Sequence, residues 1–101
     1  MIGREFHFHD GKQGAALALR IKEGGEFNRI DKVLKDGTIV LCIKNKPADL
    51  NSEIIAFLSK QLGIDETRFD IFAGEDGREK ILSIIDIAPD ELQAQVLSKI
   101  S

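Results

Sequence analysis

Polar and apolar residues alternate through Arg4-Glu5-Phe6-His7-Phe8-His9, the period-2 pattern of a half-buried strand. A glycine-bracketed turn, Asp10 to Gly14, follows, and Ala16 to Lys22 then sets Leu17, Leu19 and Ile21 on one face. Together these segments predict a first hairpin. Glu23-Gly24-Gly25-Glu26 reads as a breaker. Beyond it, Asn28 to Leu34 predicts a weaker strand with Ile30 and Val33 apolar, and Asp36-Gly37 links that strand to Thr38–Lys44. An Asp-Gly pair between two β-like runs is a strong hairpin signal, because glycine accepts the positive φ such turns require.

The period then becomes helical. Leu50, Ile54, Phe57, Leu58 and Leu62, with Ile55 beside them, lie three and four apart and form one stripe along a helix. Asp49 is placed to accept from the orphan amides of the first turn, and Gly63 suits the left-handed residue just past the end. Arg68 to Ala73 predicts a short strand, Gly74 to Gly77 a turn, and Glu79 to Ile87 another strand. That last strand is crowded with isoleucine and leucine and lacks clean alternation, so both its faces are expected to be at least partly covered. Pro89 opens a final helix with Asp90 and Glu91 in its first turn, and Leu92, Val96 and Ile100 are its apolar positions. The order is ββββ-α-ββ-α, the first pair being short or irregular. It predicts a two-layer α+β fold: a mostly antiparallel or mixed sheet with two helices on one face. Without an internal repeat or linker, residues 1–101 read as a single domain.

With 43% hydrophobic and 31% charged residues, the composition is that of a globular chain long enough to bury a core without staples. Cys42 is the only cysteine, which excludes an intrachain disulfide, and its place in the apolar run Thr38–Ile43 makes it a small buried hydrophobe. The segment Met1–Glu5 has no apolar signal region, and no apolar run approaches the roughly 20 residues that span a bilayer. A cytoplasmic location and no membrane partner are therefore expected.

Net charge is −3 and unevenly spread. From Arg20 to Lys46 seven basic residues face four acidic ones, whereas from Pro47 onward five basic residues face eleven acidic ones. Such asymmetry fits a polyanion-binding face, or lysines that coat the outer side of a sheet.

Little of this points to chemistry. His7-x-His9-Asp10 could bring two imidazoles to one ion, but histidines alternating with Phe6 and Phe8 fit the solvated side of an edge strand, and no metal is assigned. In Gly74–Lys80, Arg78 and Lys80 share a face beside flexible amides, as in an anion-binding loop, yet Glu75, Asp76 and Glu79 cancel their charge. Gly24-Gly25 lacks the pattern of a phosphate loop. No nucleophile has an adjacent base, and no carboxylate pair sits in an apolar setting, so no catalytic residue and no cofactor are assigned.

Asn51 with Phe57-Leu58, then Leu62-Gly63-Ile64, Arg68, Ile71, and Gly74-Glu75 followed by Arg78 and Lys80, resembles the YggU-like family of uncharacterised proteins, also called domain of unknown function 167. The likeness covers the second half densely and runs more loosely through Asn28 and Ile30. It departs at Asn45–Asn51, where only Asn51 remains of the family's "PPVDGKAN", at Glu23–Glu26, which lack the family's proline and serine, and at Asp76-Gly77 and Glu79 in the later loop. The resemblance implies a two-layer core of two strands, a loop, a helix, two strands and a helix, here with an extra N-terminal strand. It implies no reaction.

The expected function is a non-enzymatic binding or adaptor module whose partner is a protein or RNA. The alternative is a nucleic-acid-binding domain using the basic 20–46 region with Arg68, Arg78 and Lys80. Its candidate contacts are Asn51, Arg68, Arg78, Lys80, Lys44 and Lys46. A net charge of −3 and the absence of Trp and Tyr stand against it.

Overall fold

The computed structural model describes residues 3–7, 13–44, 49–74 and 78–100. Its elements are β1 (Arg4–His7), β2 (Gln13–Gly25), β3 (Arg29–Val33), β4 (Ile39–Lys44), α1 (Leu50–Leu62), a 3-10 turn (Glu66–Arg68), β5 (Phe69–Ala73), β6 (Glu79–Ile85) and α2 (Pro89–Leu97). They build the expected two-layer α+β fold. Both hairpins form: β1 pairs antiparallel with the start of β2, and β3 pairs antiparallel with β4.

The sheet runs β3-β4-β2-β6-β5, with β1 beside β2. Long β2 is its spine. One edge holds β6, antiparallel, from Gly14 to Arg20; the other holds β1 as far as Ala16 and then β4, parallel, from Leu19 onward. That parallel pair makes the sheet mixed. The pair is extended because β2 does not stop where the glycines suggested: Glu23-Gly24-Gly25 continues the strand through a bulge, with Gly24 at φ 100°. Gly14, assigned to the first turn, is likewise inside β2, paired with both Phe6 and Ile85.

Strand alternation divides the sheet into two faces. Ala15, Leu17, Leu19 and Ile21 of β2, Ile39, Leu41 and Ile43 of β4, and Leu82 and Ile84 of β6 join Ile54, Phe57, Leu58 and Leu62 of α1 and Leu92 and Val96 of α2 in one core. Both helices therefore cover the same face. α1 starts and stops as its sequence dictates: Asp49 accepts from Ser52 N, and Gly63 sits at φ 67° with its N–H on Ser59 O.

α2 is shorter than the Leu92–Val96–Ile100 stripe suggested. It ends at Leu97, and Ile100 leaves the helix to bridge Ile30 at the edge of β3, in parallel. No helix of the described residues is long and apolar enough to cross a membrane.

Candidate functional site

Because β2 and β4 are parallel and β3 and β6 run against them, several chain ends meet at one end of the sheet. These are the C-terminal ends of β2 and β4, the starts of β3 and β6, the end of β5 and the N-terminus of α1. Asn28 ties them together. Its Oδ1 accepts from Lys44 N at 2.8 Å and its Nδ2 donates to Glu53 Oε1 at 2.9 Å, linking the β2–β3 turn to β4 and to the first turn of α1.

Lys80 lies at this end, directly opposite Leu19, so it points to the helix-covered face, where it is only 2% exposed. Its stem belongs to the packed layer, while Nζ donates to Gly74 O at 2.9 Å. Gly74 adopts φ 71°, and a Cβ there would fall 2.0 Å from Glu79 O, so the approach that receives the ammonium requires glycine. Asp49 is held below the ordinary carboxylate range chiefly by its hydrogen bonds from Ser52, with a smaller contribution from the Lys80 charge. Asn51, two residues on, has its Oδ1 sequestered without a hydrogen-bond partner among the described residues. Asn51 and Lys80 thus both lie at this end of the fold. Arg78 stays at the surface, its side chain 63% exposed and its guanidinium 3.5 Å from Glu23.

The remaining candidates separate. Arg68 is at the far end of β6, where Nε donates to Ile85 O at 2.9 Å and Nη2 to Asp86 O at 2.7 Å; both bonds fasten β6 to the 3-10 turn. Lys44 is exposed at the end of β4. Lys46 lies outside the described residues, as do His9, Asp10 and the acidic residues Glu75 and Asp76.

The helix-free face holds what spacing along the chain could not locate. Register places Arg20 and Lys32 on either side of Val40, and Lys22 and Arg29 on either side of Cys42, with Lys44 next along β4. No helix of the described residues covers this face, yet Val40 and Cys42 are 2% and 5% exposed. The long cationic side chains beside them provide the cover. Three carboxylates stand near the five cations: Glu79, 2.8 Å from Arg20, Asp31, 3.5 Å from Lys22 and 3.3 Å from Arg29, and Asp36 of the β3–β4 turn, whose carboxyl feels the Arg20 charge. Desolvation raises the Asp31 pKa, but Lys22 and Arg29 outweigh it and hold the carboxyl below its usual range.

Beside the cluster Ala16, Ala18, Ile81, Ser83 and Ile85 lie in adjacent rows, bordered by exposed Arg4 opposite Ala16 and exposed Asp70 opposite Ser83. In the gap between β1 and β4 along the edge of β2, a recess of about 380 Å³ opens, lined by Arg4, Ala16, Ala18, Asp36, Thr38 and Ile81. Phe27, 58% exposed, projects from the turn leading into Arg29.

No group of three or more potential metal ligands occurs among the described residues. Cys42 is a free cysteine, buried on the sheet between Lys22 and Arg29. What this geometry offers is a flat, partly cationic contact surface. No protein-family model matches the chain.

Proposed function

We propose that this protein is a non-enzymatic binding module that engages its partner through the helix-free face of its sheet. One observation carries the reading: both helices pack on one face, leaving Ala16, Ala18, Ile81 and Ile85 beside the cluster of Arg20, Lys22, Arg29, Lys32 and Lys44. An aliphatic strip flanked by charge is the composition of a contact surface, with an apolar centre to desolvate and a polar rim to orient. Kinship with the YggU-like family belongs to the same proposal. It rests on Asn51, Leu62-Gly63-Ile64, Arg68, Arg78 and Lys80, and adds a second candidate contact where Lys80 and Asn51 lie at the N-terminal end of α1.

The test is retrieval of the tagged protein from cells that express it naturally. The wild type is compared with a Lys22→Glu/Lys32→Glu/Lys44→Glu variant and with a helix-side control, Lys60→Glu. Loss of bound material in the triple variant alone supports the reading. Equal retention in all three rejects the sheet face as the contact surface.

A further inference from the structure

We infer that the helix-free face binds single-stranded nucleic acid, with the phosphates along the cations of β2, β3 and β4 and a base on Phe27; this rests on the open-face reading above. Charge comes first. Arg20 and Lys22 stand on one strand and Arg29 and Lys32 two strands away, with Val40, Cys42 and Lys44 between them. Alternate residues on a strand stand about 7 Å apart, so these side chains form two parallel rows rather than a point. Five cations against Asp31, Asp36 and Glu79 leave the patch a surplus of two positive charges in a chain whose net charge is −3. Much of the compensating negative charge lies elsewhere: Asp65, Glu66, Asp90 and Glu91 are exposed at the 3-10 turn and on α2, while Asp70 is on the same face but at the opposite edge strand, β5. A polyanion is attracted to the sheet face and repelled by the helix side.

The Arg20–Glu79 ion pair does not block this, and the pairing with Asp31 leaves the Lys22 side chain more than half exposed. Arg20–Glu79 is solvent-exposed, and such pairs contribute little and exchange readily for a phosphate.

The second observation is independent of charge. Phe27 is an exposed aromatic side chain in the turn before Arg29. The same turn brings the Phe27 carbonyl and the Arg29 guanidinium near Gly25, where a Cβ would lie 3.6 Å from Phe27 O and 3.8 Å from Arg29 Nη1. An exposed aromatic side chain two residues from a cation of the patch offers a surface on which an unpaired base can stack.

The strand state follows from the architecture. Both helices are on the opposite face, so among the described residues no helix stands on the cationic surface to enter a duplex groove. A flat sheet instead suits an extended strand with its bases turned out.

The experiment is fluorescence anisotropy with a labelled 12-nucleotide RNA of mixed sequence, and with the same RNA as a duplex. Expected is saturable binding of the single strand that weakens roughly tenfold or more between 50 and 200 mM salt. Lys22→Glu/Lys32→Glu/Lys44→Glu should abolish it, and Phe27→Ala should weaken it about tenfold. These four side chains are exposed, and the circular dichroism and melting of each variant confirm that it is folded. The inference is overturned if the single strand does not bind, if the charge reversals leave affinity unchanged, or if the duplex binds as well. Absence of RNA binding, with natural partners still lost in the triple variant, would overturn this inference while leaving the open-face module standing.

Discussion

Lys80 donates its Nζ to the carbonyl of Gly74 at 2.9 Å from a position that is 2% exposed, on the face of the sheet that the helices cover. A cation is rarely buried unless its hydrogen bonds are supplied, and here the β5–β6 connection supplies at least one. Lys80→Ala removes both the stem that fills the layer and the donor to Gly74. It should lower stability by about 3 kcal/mol in chemical denaturation. Lys80→Met restores the stem alone and should recover roughly half of that loss.

Gly63 and Gly74, two of the glycines with positive φ, should respond unequally to alanine. At Gly63 a Cβ meets nothing within 4 Å, so Gly63→Ala carries only the strain of φ 67°, about 1 kcal/mol. At Gly74 the Cβ collides with Glu79 O as well, and Gly74→Ala should cost roughly 3 kcal/mol. Equal denaturation midpoints for the two variants would refute the close approach at Gly74.

Arg68 clamps the 3-10 turn to the end of β6. Arg68→Met leaves the carbonyls of Ile85 and Asp86 without their charged donor and should destabilise the fold by about 2 kcal/mol. Arg68→Lys should recover only part, because one ammonium cannot reproduce the two-armed geometry. Partner or RNA binding at temperatures where the variant is folded should remain that of the wild type.

Acid should weaken the fold through four aspartates. Asp36, Asp49 and Asp65 are lowered mainly by hydrogen bonds from Thr38, Ser52 and Thr67; in Asp31, Lys22 and Arg29 prevail over desolvation. A depressed native pKa contributes stability above the unfolded value of about 3.9, and that stability is lost as pH falls through the native value. Denaturation midpoints should hold near neutrality and decline below about pH 4. Asp49→Asn keeps a capping oxygen but cannot titrate, so its decline should be shallower than that of the wild type.

Much of the fold is written in local pattern. The cap, stripe and stop of α1 (Asp49, Leu50 to Leu62, Gly63) are short-range signals, and the helix has those bounds. The β3–β4 hairpin follows from Asp36-Gly37 for the same reason. Where the reading erred, a distant partner overrode a local preference. Gly14 and Gly24-Gly25 look like punctuation, but pairing to β1, β6 and β4 keeps them extended. Ile100 fits the helical stripe, yet an edge position opposite Ile30 takes it.

The candidate site was legible as residue types and not as a surface. The basic excess of 20–46 is visible in the chain, but the flanking of Val40 and Cys42 by Arg20, Lys22, Arg29 and Lys32 depends on the parallel pairing of β2 with β4. No spacing rule announces that pairing. Asn28 was equally silent, because Lys44 and Glu53 lie 16 and 25 residues away. Arg78 and Lys80 share a face as expected but differ in depth, since β6 begins between them.

The most direct measurement is site-specific photo-cross-linking in cells that express the protein. A photoreactive side chain replaces Ala18 on the helix-free face or Lys60 on the exposed side of α1. The account predicts a discrete adduct from position 18 that disappears when Lys22, Lys32 and Lys44 are changed to Glu, and none from position 60. Adducts from position 60, or an adduct at position 18 indifferent to the three charges, would contradict it.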